Sequence, residues 1–155
     1  MTALTTDVVV VGSGIAGLSA AIELSAENQV ILVTKAELFE ANTGYAQGGV
    51  STVLAKDDSF DAHVADTIDA GAGLCKPEVV RMCVESGPEA VRRLTSWGVS
   101  FDRAEDGGYD LGREGGHSHR RVLHAGDFTG AEIQRALVQR ARRSDNLIIL
   151  EHHHA

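Results

Sequence analysis

Two continuous apolar runs stand near the start of the chain, with helix-forming residues between them. The first run is DVVVV at 7–11, and the second is VILVT at 30–34. Unbroken β-branched runs are typical of strands that are buried on both faces of a parallel sheet. Between them lies GSGIAG, followed by LSAAIELSAE. The pattern therefore predicts a βαβ unit over residues 7–34, and with it an α/β fold.

The segment after the second strand is rich in glycine and weakly periodic. It contains NTGYAQGG at 42–49, in which three of eight residues are glycine. Glycine is costly inside a helix or a strand, so the pattern predicts an irregular loop over residues 42–50. Such a loop suits a backbone that must lie against a flat ligand.

Residues 59–98 carry apolar side chains at helical spacing and are predicted to form a helical segment. Its boundaries are marked by residues that commonly begin or end helices. These are Asp58 or Ser59 as the first cap, Pro77 at a second start, Ser86 with Glu89 as a capping box, and Gly98 at the end.

The last third of the chain combines a charged stretch with two further elements. Residues 110–130 include LGREGGHSHRR, which is dense in arginine, histidine and glycine, and then RVLHA, which predicts a short strand. The pair Thr129 and Glu132 predicts the start of a helix, and NLIIL predicts a final strand. The ending LEHHH reads either as native sequence or as the start of a histidine tag.

The composition is that of a globular protein with an acidic balance. The chain has 155 residues, 43% of them hydrophobic, and a formal net charge of −8. An acidic chain is not expected to bind nucleic acid or an anionic membrane. No apolar run approaches the ~20 residues that span a bilayer, and the start does not resemble a secretion signal. The two cysteines lack zinc-ligand spacing, so we expect reduced thiols, no metal and a cytoplasmic location.

The turn after the first strand matches the G-x-G-x-x-G pattern of dinucleotide-binding proteins. Its six residues are Gly12, Ser13, Gly14, Ile15, Ala16 and Gly17. The glycines allow a tight turn and a close approach of a pyrophosphate to the helix N-terminus. The acid that commonly holds the ribose is replaced here by Lys35. A lysine favours the 2′-phosphate of NADP or contacts a different part of FAD, and the motif alone does not choose between them.

Four stretches of the chain together point to a known family. They are VVVVGSGIAGLSAAIEL, TGYAQGGV, DAHVADTIDAGAGLC and REGGHSHRRVLHAGDFTG. In this order they resemble the N-terminal part of the L-aspartate oxidase family, which is similar in turn to the flavoprotein subunits of succinate dehydrogenase and fumarate reductase. The resemblance covers essentially the whole chain. It implies a Rossmann-like FAD-binding domain with a parallel sheet, truncated before the capping domain.

The resemblance also implies roles for individual residues. Ser13 to Gly17 would bind the FAD pyrophosphate, and Lys35 would lie by the adenosine end. Glu114 would face the α-ammonium of the substrate. Its carboxylate would pair with an ammonium that aspartate carries and succinate lacks. The flavin loop would follow the ribityl chain and the isoalloxazine with Asn42, Thr43, Gly44, Tyr45, Ala46, Gln47, Gly48 and Gly49.

The resemblance further implies that FAD is bound noncovalently. The succinate and fumarate enzymes carry a pattern similar to SHTxxAEGG, in which the histidine binds FAD covalently. Aligned on the two glycines, that histidine falls on Asn42 and the glutamate on Gln47. Asparagine cannot form the covalent bond.

The remaining histidines and arginines of this region have less defined roles. These residues are His117, His119, Arg120 and Arg121. One or two of them could help to neutralise a dicarboxylate substrate. The alternative for each is a hydrogen-bonded loop residue or a surface charge. His63 and His124 are expected to be structural.

The implied reaction is oxidation of L-aspartate to iminoaspartate, with hydride passing to FAD and with O2 or fumarate as electron acceptor. The product would feed quinolinate synthesis in NAD biosynthesis, which makes quinolinate synthase the implied partner. The family's proton-transfer arginine lies later in the sequence, so we expect these residues alone to bind FAD weakly and not to turn over. Two alternatives stay open: a succinate dehydrogenase or fumarate reductase type of flavoprotein, and a non-catalytic dinucleotide-binding fragment.

Overall fold

The computed structural model describes residues 3–155. Its strands are β1 (Val8–Val11), β2 (Val30–Val33), β3 (Val50–Ser51), β4 (Leu111–Gly112), β5 (Val122–Leu123) and β6 (Leu147–Leu150). Its helices are α1 (Ile15–Leu24), α2 (Asn42–Tyr45), α3 (Phe60–Ala70), α4 (Pro77–Ser96) and α5 (Thr129–Ala141). The chain divides into two compact units. The first comprises the described part of Met1–Ala46, Trp97–Val99 and Gly130–Ala155, and the second comprises Gln47–Ser96 and Ser100–Thr129.

The first unit is built on a three-stranded parallel sheet in the order β1-β2-β6. Val8 of β1 pairs with Val30 of β2, and Val30 pairs in turn with Leu147 of β6. Helix α1 packs against β1 and β2 and buries Leu18 and Ile22. The predicted βαβ unit, the final strand and the α/β fold are therefore confirmed.

The prediction that β1 is buried on both faces is wrong for this chain. Val9 and Val11 are 56% and 64% exposed. Successive side chains of a strand point to opposite faces, and Val10 points towards α1, where it lies near Gly17. Within residues 3–155, α1 covers only the face of β1 that carries Val10, and the periodicity of the run could not reveal this difference between the faces.

The second unit combines a helix pair with a small antiparallel sheet. Helix α3 packs along α4, and the sheet has the order β3-β5-β4. Leu123 in the central strand pairs with Val50 on one side and Leu111 on the other. The buried apolar side chains of this unit are Val64, Val84, Val91, Leu94, Phe101, Val122 and Leu123.

Helix α4 corrects the predicted boundary at Ser86 and Glu89. The helix continues through both residues and through Pro88 to Ser96. The Ser86 hydroxyl donates to the Met82 carbonyl one turn earlier (2.8 Å), and Glu89 accepts from Arg92. A local capping pattern is overridden here because the apolar face of α4 is continuous across the proline.

The other predicted helix boundaries are confirmed. The Ser59 hydroxyl accepts a hydrogen bond from the Ala62 amide (3.1 Å) at the start of α3, whereas Asp58 has a different role. Helix α4 begins at Pro77, and Gly98 follows its end with a φ of +100°. Helix α5 begins at Thr129, as the sequence pattern indicates.

Two observations bear on the chain's surroundings. Within residues 3–155, no helix is both long enough and apolar enough to cross a membrane. The thiols of Cys75 and Cys83 are both free. The cytoplasmic location stays a prediction.

Candidate functional site

The glycine-rich turn between β1 and α1 has the geometry that the sequence motif requires. Gly12 has a φ of +104°, and its amide donates to the Val33 carbonyl of β2 (2.8 Å). A Cβ on Gly17 would collide with the Gly12 carbonyl, so only glycine allows α1 to start this close to β1. Gly14 is extended and caps α1. The turn therefore presents the N-terminal end of a ten-residue helix directly after the strand.

Buried hydrogen bonds hold this turn in place. The Ser13 and Thr34 hydroxyls lie 3.0 Å apart, and both side chains are buried. The Gln134 amide group of α5 donates to the Ser13 carbonyl (3.0 Å) and to the Leu38 carbonyl (2.8 Å). The turn is thus fixed by two segments of the first unit that are distant from it in sequence, the end of β2 and helix α5.

The beginning of the predicted flavin loop meets this turn. The Ile15 amide donates to the Thr43 hydroxyl at 2.9 Å. A Cβ on Gly14 would lie 3.6 Å from the same hydroxyl. Two motifs that lie almost thirty residues apart in sequence are therefore brought together at the start of α1.

The prediction that residues 42–50 are wholly irregular is wrong at Asn42–Tyr45, which form the single helical turn α2. The Gly44 amide donates to the Ala41 carbonyl (2.9 Å). Packing makes this turn possible, because Gly130 of α5 passes so close to the Thr43 and Ala46 carbonyls that it has no room for a side chain. Local propensity did not reveal this neighbour.

A cavity of about 450 Å³ lies beside the turn in the first unit. A volume of this size is in the range of small-molecule sites. The predicted cofactor residues Gly12, Ser13, Gly14, Lys35, Asn42 and Thr43 all line it. The residues thus fit the diphosphate of a dinucleotide: a sterically enforced glycine turn, a helix N-terminus and a lysine border one cavity.

The end of the predicted flavin loop belongs to the second unit. A Cβ on Gly49 would collide with the Leu123 carbonyl and the Val122 side chain, and it would lie 2.9 Å from the His124 ring. The glycine at 49 is therefore required by β5, without any ligand. Gly48 has open space on its Cβ side, so a requirement for a ligand's close approach stays a prediction there.

Arg121 is the fully buried centre of an ionic network in the second unit. Its guanidinium binds Asp58 through two hydrogen bonds of 2.8 Å and Asp66 through one of 2.6 Å. A bidentate pair of this kind fixes both distance and orientation. Arg121 is thus a hydrogen-bonded residue beneath the loop, and its charge is already matched by two carboxylates.

The network also holds the charged loop that precedes Arg121. The amide and the hydroxyl of Ser118 both donate to Asp66 Oδ2, at 2.8 and 2.7 Å. Burial of the Asp66 carboxyl disfavours its charge, but the hydrogen bonds from Ser118 and Arg121 outweigh burial and lower its pKa to about 2. The His119 ring lies 3.6 Å from Asp58, and Arg120 donates to the Leu111 carbonyl (3.2 Å).

His63 is a buried histidine beside the ionic network of Arg121. His63 is 7% exposed, and among the described residues its Nδ1 has no hydrogen-bond partner. Burial first, and then the positive charge of Arg121, lowers the pKa of His63. The His63 ring meets the His117 ring edge to face at 5.8 Å. The structural role of His63 stays a prediction.

Glu114 lies at the outer part of the same loop and is accessible. Its side chain is 48% exposed, and its Oε1 lies 3.5 Å from His124 Nε2. Its backbone carbonyl accepts from the His117 amide (3.2 Å). Gly115 and Gly116 follow, and Gly116 has a φ of +82°. The loop thus carries the half-exposed Glu114 carboxylate, and the buried network of Arg121 holds this loop in place.

The contact between His124 and Glu114 was missed by sequence reasoning. Ten residues separate the two side chains along the chain. Strands β4 and β5 bring them together, since Gly112 pairs with Val122. Strands of two residues leave almost no periodic pattern in the sequence, so their antiparallel pairing could not be predicted. The sequence showed only that a glutamate and a histidine lie near each other along the chain.

The class of protein follows from comparison with known families. The family model described as FAD binding domain matches residues 7–155, and the chain belongs to this family. The matched region extends to residue 155 and so includes the histidines at the end of the chain. FAD is therefore the cofactor, which decides between the two dinucleotides left open by Lys35.

Within this family, the chain is similar in sequence to L-aspartate oxidases. The chain is 53% identical to the chloroplastic L-aspartate oxidase of Oryza sativa, over 96% of this chain and 23% of that protein. It is 46% identical to the L-aspartate oxidase of Vibrio cholerae, over 96% of this chain and 29% of that protein. The chain thus spans about a quarter of the length of these relatives.

Solved structures agree with the fold. A quinol fumarate reductase FrdA structure from E. coli matches with a TM-score of 0.92 and 30% identity, over 98% of this chain and 26% of that one. The Mycobacterium smegmatis Sdh1 complex matches with a TM-score of 0.88 and 32% identity, over 95% and 27%. The predicted α/β FAD-binding fold and the resemblance to this group of flavoproteins are confirmed.

Proposed function

We propose that the full-length protein containing this chain oxidises L-aspartate to iminoaspartate with noncovalently bound FAD. The observation that carries the proposal is Glu114, a half-exposed carboxylate on a loop held by the buried Arg121. Its support is the identity of 45% to 53% with L-aspartate oxidases of plants and bacteria. The segment that contains Glu114 lies within the matched region of these relatives.

The proposed role of Glu114 is to bind the α-ammonium of the substrate. A carboxylate that is partly withdrawn from water binds an ammonium through charge and hydrogen bonds. Succinate has a methylene at the same place and gains nothing from this carboxylate. Sites that hydrogen-bond a polar substrate group can reject an analogue that lacks it by large factors.

The proposed cofactor site uses both motifs that the sequence predicted. We assign the pyrophosphate to residues 13–17, the adenosine end to Lys35, and the ribityl chain and the ring to residues 43–49, with Gly12 and Asn42 as further cofactor-binding residues. Bound FAD would supply the hydride acceptor. The Asn42 side chain lacks a nucleophile that could form a covalent flavin bond, which supports noncovalent binding.

The wider context of the reaction belongs to the same proposal. Either O2 or fumarate would accept the electrons, and the product would be passed to quinolinate synthase at the start of NAD biosynthesis. A cytoplasmic location is part of the proposal. The resemblance places the proton-transfer arginine beyond the matched region, so residues 1–155 alone are proposed to bind FAD weakly and not to turn over.

The test uses the full-length product of the gene. The purified holoenzyme is mixed without oxygen with L-aspartate, and a second sample is mixed with succinate. We expect L-aspartate alone to bleach the flavin absorbance. We also expect a Glu114→Gln variant to lower kcat/KM for aspartate about 100-fold, because an unpaired ammonium is left at the site. Glu105→Gln, at an exposed turn of the same unit, is the matched control.

The second candidate function is a dicarboxylate dehydrogenase or reductase. It is favoured by the TM-score of 0.92 with a quinol fumarate reductase. Bleaching by succinate alone, or flavin that stays with the denatured protein, would replace our proposal with this one. A protein that stays colourless with added FAD would instead favour a non-catalytic nucleotide-binding role.

A further inference from the structure

We infer that His124 is a positioning residue for Glu114 and thereby helps to select a substrate that carries an ammonium. The inference rests on the proposed function, since it assumes that Glu114 receives the α-ammonium of a dicarboxylate. It goes beyond that function by assigning selectivity to a second residue, which the sequence suggested was structural only.

The observation behind the inference is the surroundings of the Glu114 carboxylate. Its Oε1 lies 3.5 Å from His124 Nε2, which is an ion-pair distance and longer than a good hydrogen bond. Among the described residues, the His124 imidazole lies within ion-pair distance of this carboxylate. The two side chains are 30% and 48% exposed, so a ligand can reach them. An unsupported glutamate side chain would sample many rotamers.

The His124 ring itself is confined by two glycines. A Cβ on Gly112 of β4 would lie 2.8 Å from Nε2 and 3.2 Å from Cδ2. A Cβ on Gly49 would lie 2.9 Å from Cε1. Contacts below 3.0 Å would force the ring to move, so a side chain at either position would displace it. The ring therefore occupies a slot that exists because positions 49 and 112 are glycine.

The backbone of His124 is also fixed. Its carbonyl accepts from the Asp102 amide at 2.8 Å, directly after strand β5. The ring thus has a rigid base, a confined slot and one polar edge directed at Glu114. Gly49 belongs to the predicted flavin loop, so the same ring lies against that loop and against the carboxylate that would bind the substrate.

The role of the ring can be separated from its bulk. His124→Phe keeps an aromatic ring for the glycine slot and removes both ring nitrogens. His124→Gln keeps a polar donor and removes the ring. If His124 positions Glu114, the phenylalanine variant should be the more impaired and the glutamine variant should recover part of the loss. A role in packing alone predicts the opposite order.

The test measures binding and turnover of the full-length holoenzyme. One ligand is 2-methyl-L-aspartate, which carries the ammonium but lacks the α-hydrogen that oxidation removes. The other is succinate, which lacks the ammonium. Calorimetric Kd values are measured for both, together with KM and kcat for L-aspartate and the Kd of FAD for the apoprotein.

For His124→Phe we expect a rise of about threefold to tenfold in the Kd of 2-methyl-L-aspartate and in the KM of aspartate. The Kd values of succinate and FAD should change less than about twofold, because neither contact involves the ammonium. In a Glu114→Gln background, His124→Phe should add almost nothing, since the group that it positions is already neutral.

Three outcomes would contradict the inference while the proposed function stands. They are equal loss for both ligands, a full additive loss in the Glu114→Gln background, and no effect of His124→Phe where Glu114→Gln is impaired. Failure of the proposed function has a different signature: wild-type protein that neither binds 2-methyl-L-aspartate nor oxidises aspartate. That result would remove the inference together with the function.

Discussion

The glycine turn at the start of α1 and the charged loop before Arg121 are both candidate ligand-binding segments, but they are held by opposite means. The turn is fixed mainly by backbone geometry: Gly12 at a φ of +104° and Gly17 against the Gly12 carbonyl. The loop is fixed by side-chain charges, with Arg121 buried between Asp58 and Asp66. The glycines that shape the turn fall within six consecutive residues, although Thr34 and Gln134 also bond to it. The charged network of the loop depends wholly on partners more than fifty residues away.

The difference has an energetic consequence. A backbone turn has few groups whose removal leaves a buried charge. In the network beneath the loop, Arg121 depends on both carboxylates and each carboxylate depends on Arg121, because opposite charges and hydrogen bonds offset the desolvation of each group. The loop should therefore be more sensitive to single substitutions, and it should respond to pH where the turn does not.

The largest expected effect is on the loop. Arg121→Met should lower the free energy of unfolding of the full-length protein by about 3–5 kcal/mol, because two carboxylates are left without their cation. Urea unfolding measures the change. Arg113→Met, at an exposed position of the same loop, is the matched control and should stay near wild type. A loss of less than about 1 kcal/mol for Arg121→Met would mean that water replaces the guanidinium at little cost.

The second prediction concerns the pH dependence of the same network. The folded pKa of Asp66, about 2, lies below its ordinary value of 3.8. Its ionised form therefore stabilises the fold above pH 3.8, and the contribution is lost as the pH falls towards 2. The shift corresponds to about 2 kcal/mol, of which roughly half should be gone at pH 3.

The measurement compares wild type with Asp66→Asn by urea unfolding between pH 7 and pH 3. The stability difference between the two proteins should shrink as the pH falls, because asparagine has no charge to lose. Asp57→Asn, exposed and adjacent to the network, should give a difference that is small at every pH. A constant difference for Asp66→Asn would show that hydrogen bonding, and not ionisation, carries its role.

The same contrast explains what could be predicted from the sequence. The G-x-G-x-x-G turn was predicted because its requirements are local and each falls on a fixed position. The pairing of Asp58 with Arg121 was not, since 63 residues separate them and neither has a local pattern that names the other. The predictions that β1 is buried on both faces and that a new helix starts at Ser86 were wrong for a related reason. Burial of a face is decided by neighbours distant in sequence, and these override local signals.

The smallest predicted effect tests the glycine turn. Thr43→Val removes the hydroxyl that accepts from the Ile15 amide while keeping the shape of the side chain. We expect a loss of about 0.5–1.5 kcal/mol in stability and a rise of about threefold to tenfold in the Kd of FAD, because α2 is no longer tied to the start of α1. Thr43→Ser keeps the hydroxyl and should stay close to wild type. If serine and valine behave alike in FAD titrations of the full-length apoprotein, the turn is held by its backbone alone, and the contrast with the charged loop becomes sharper.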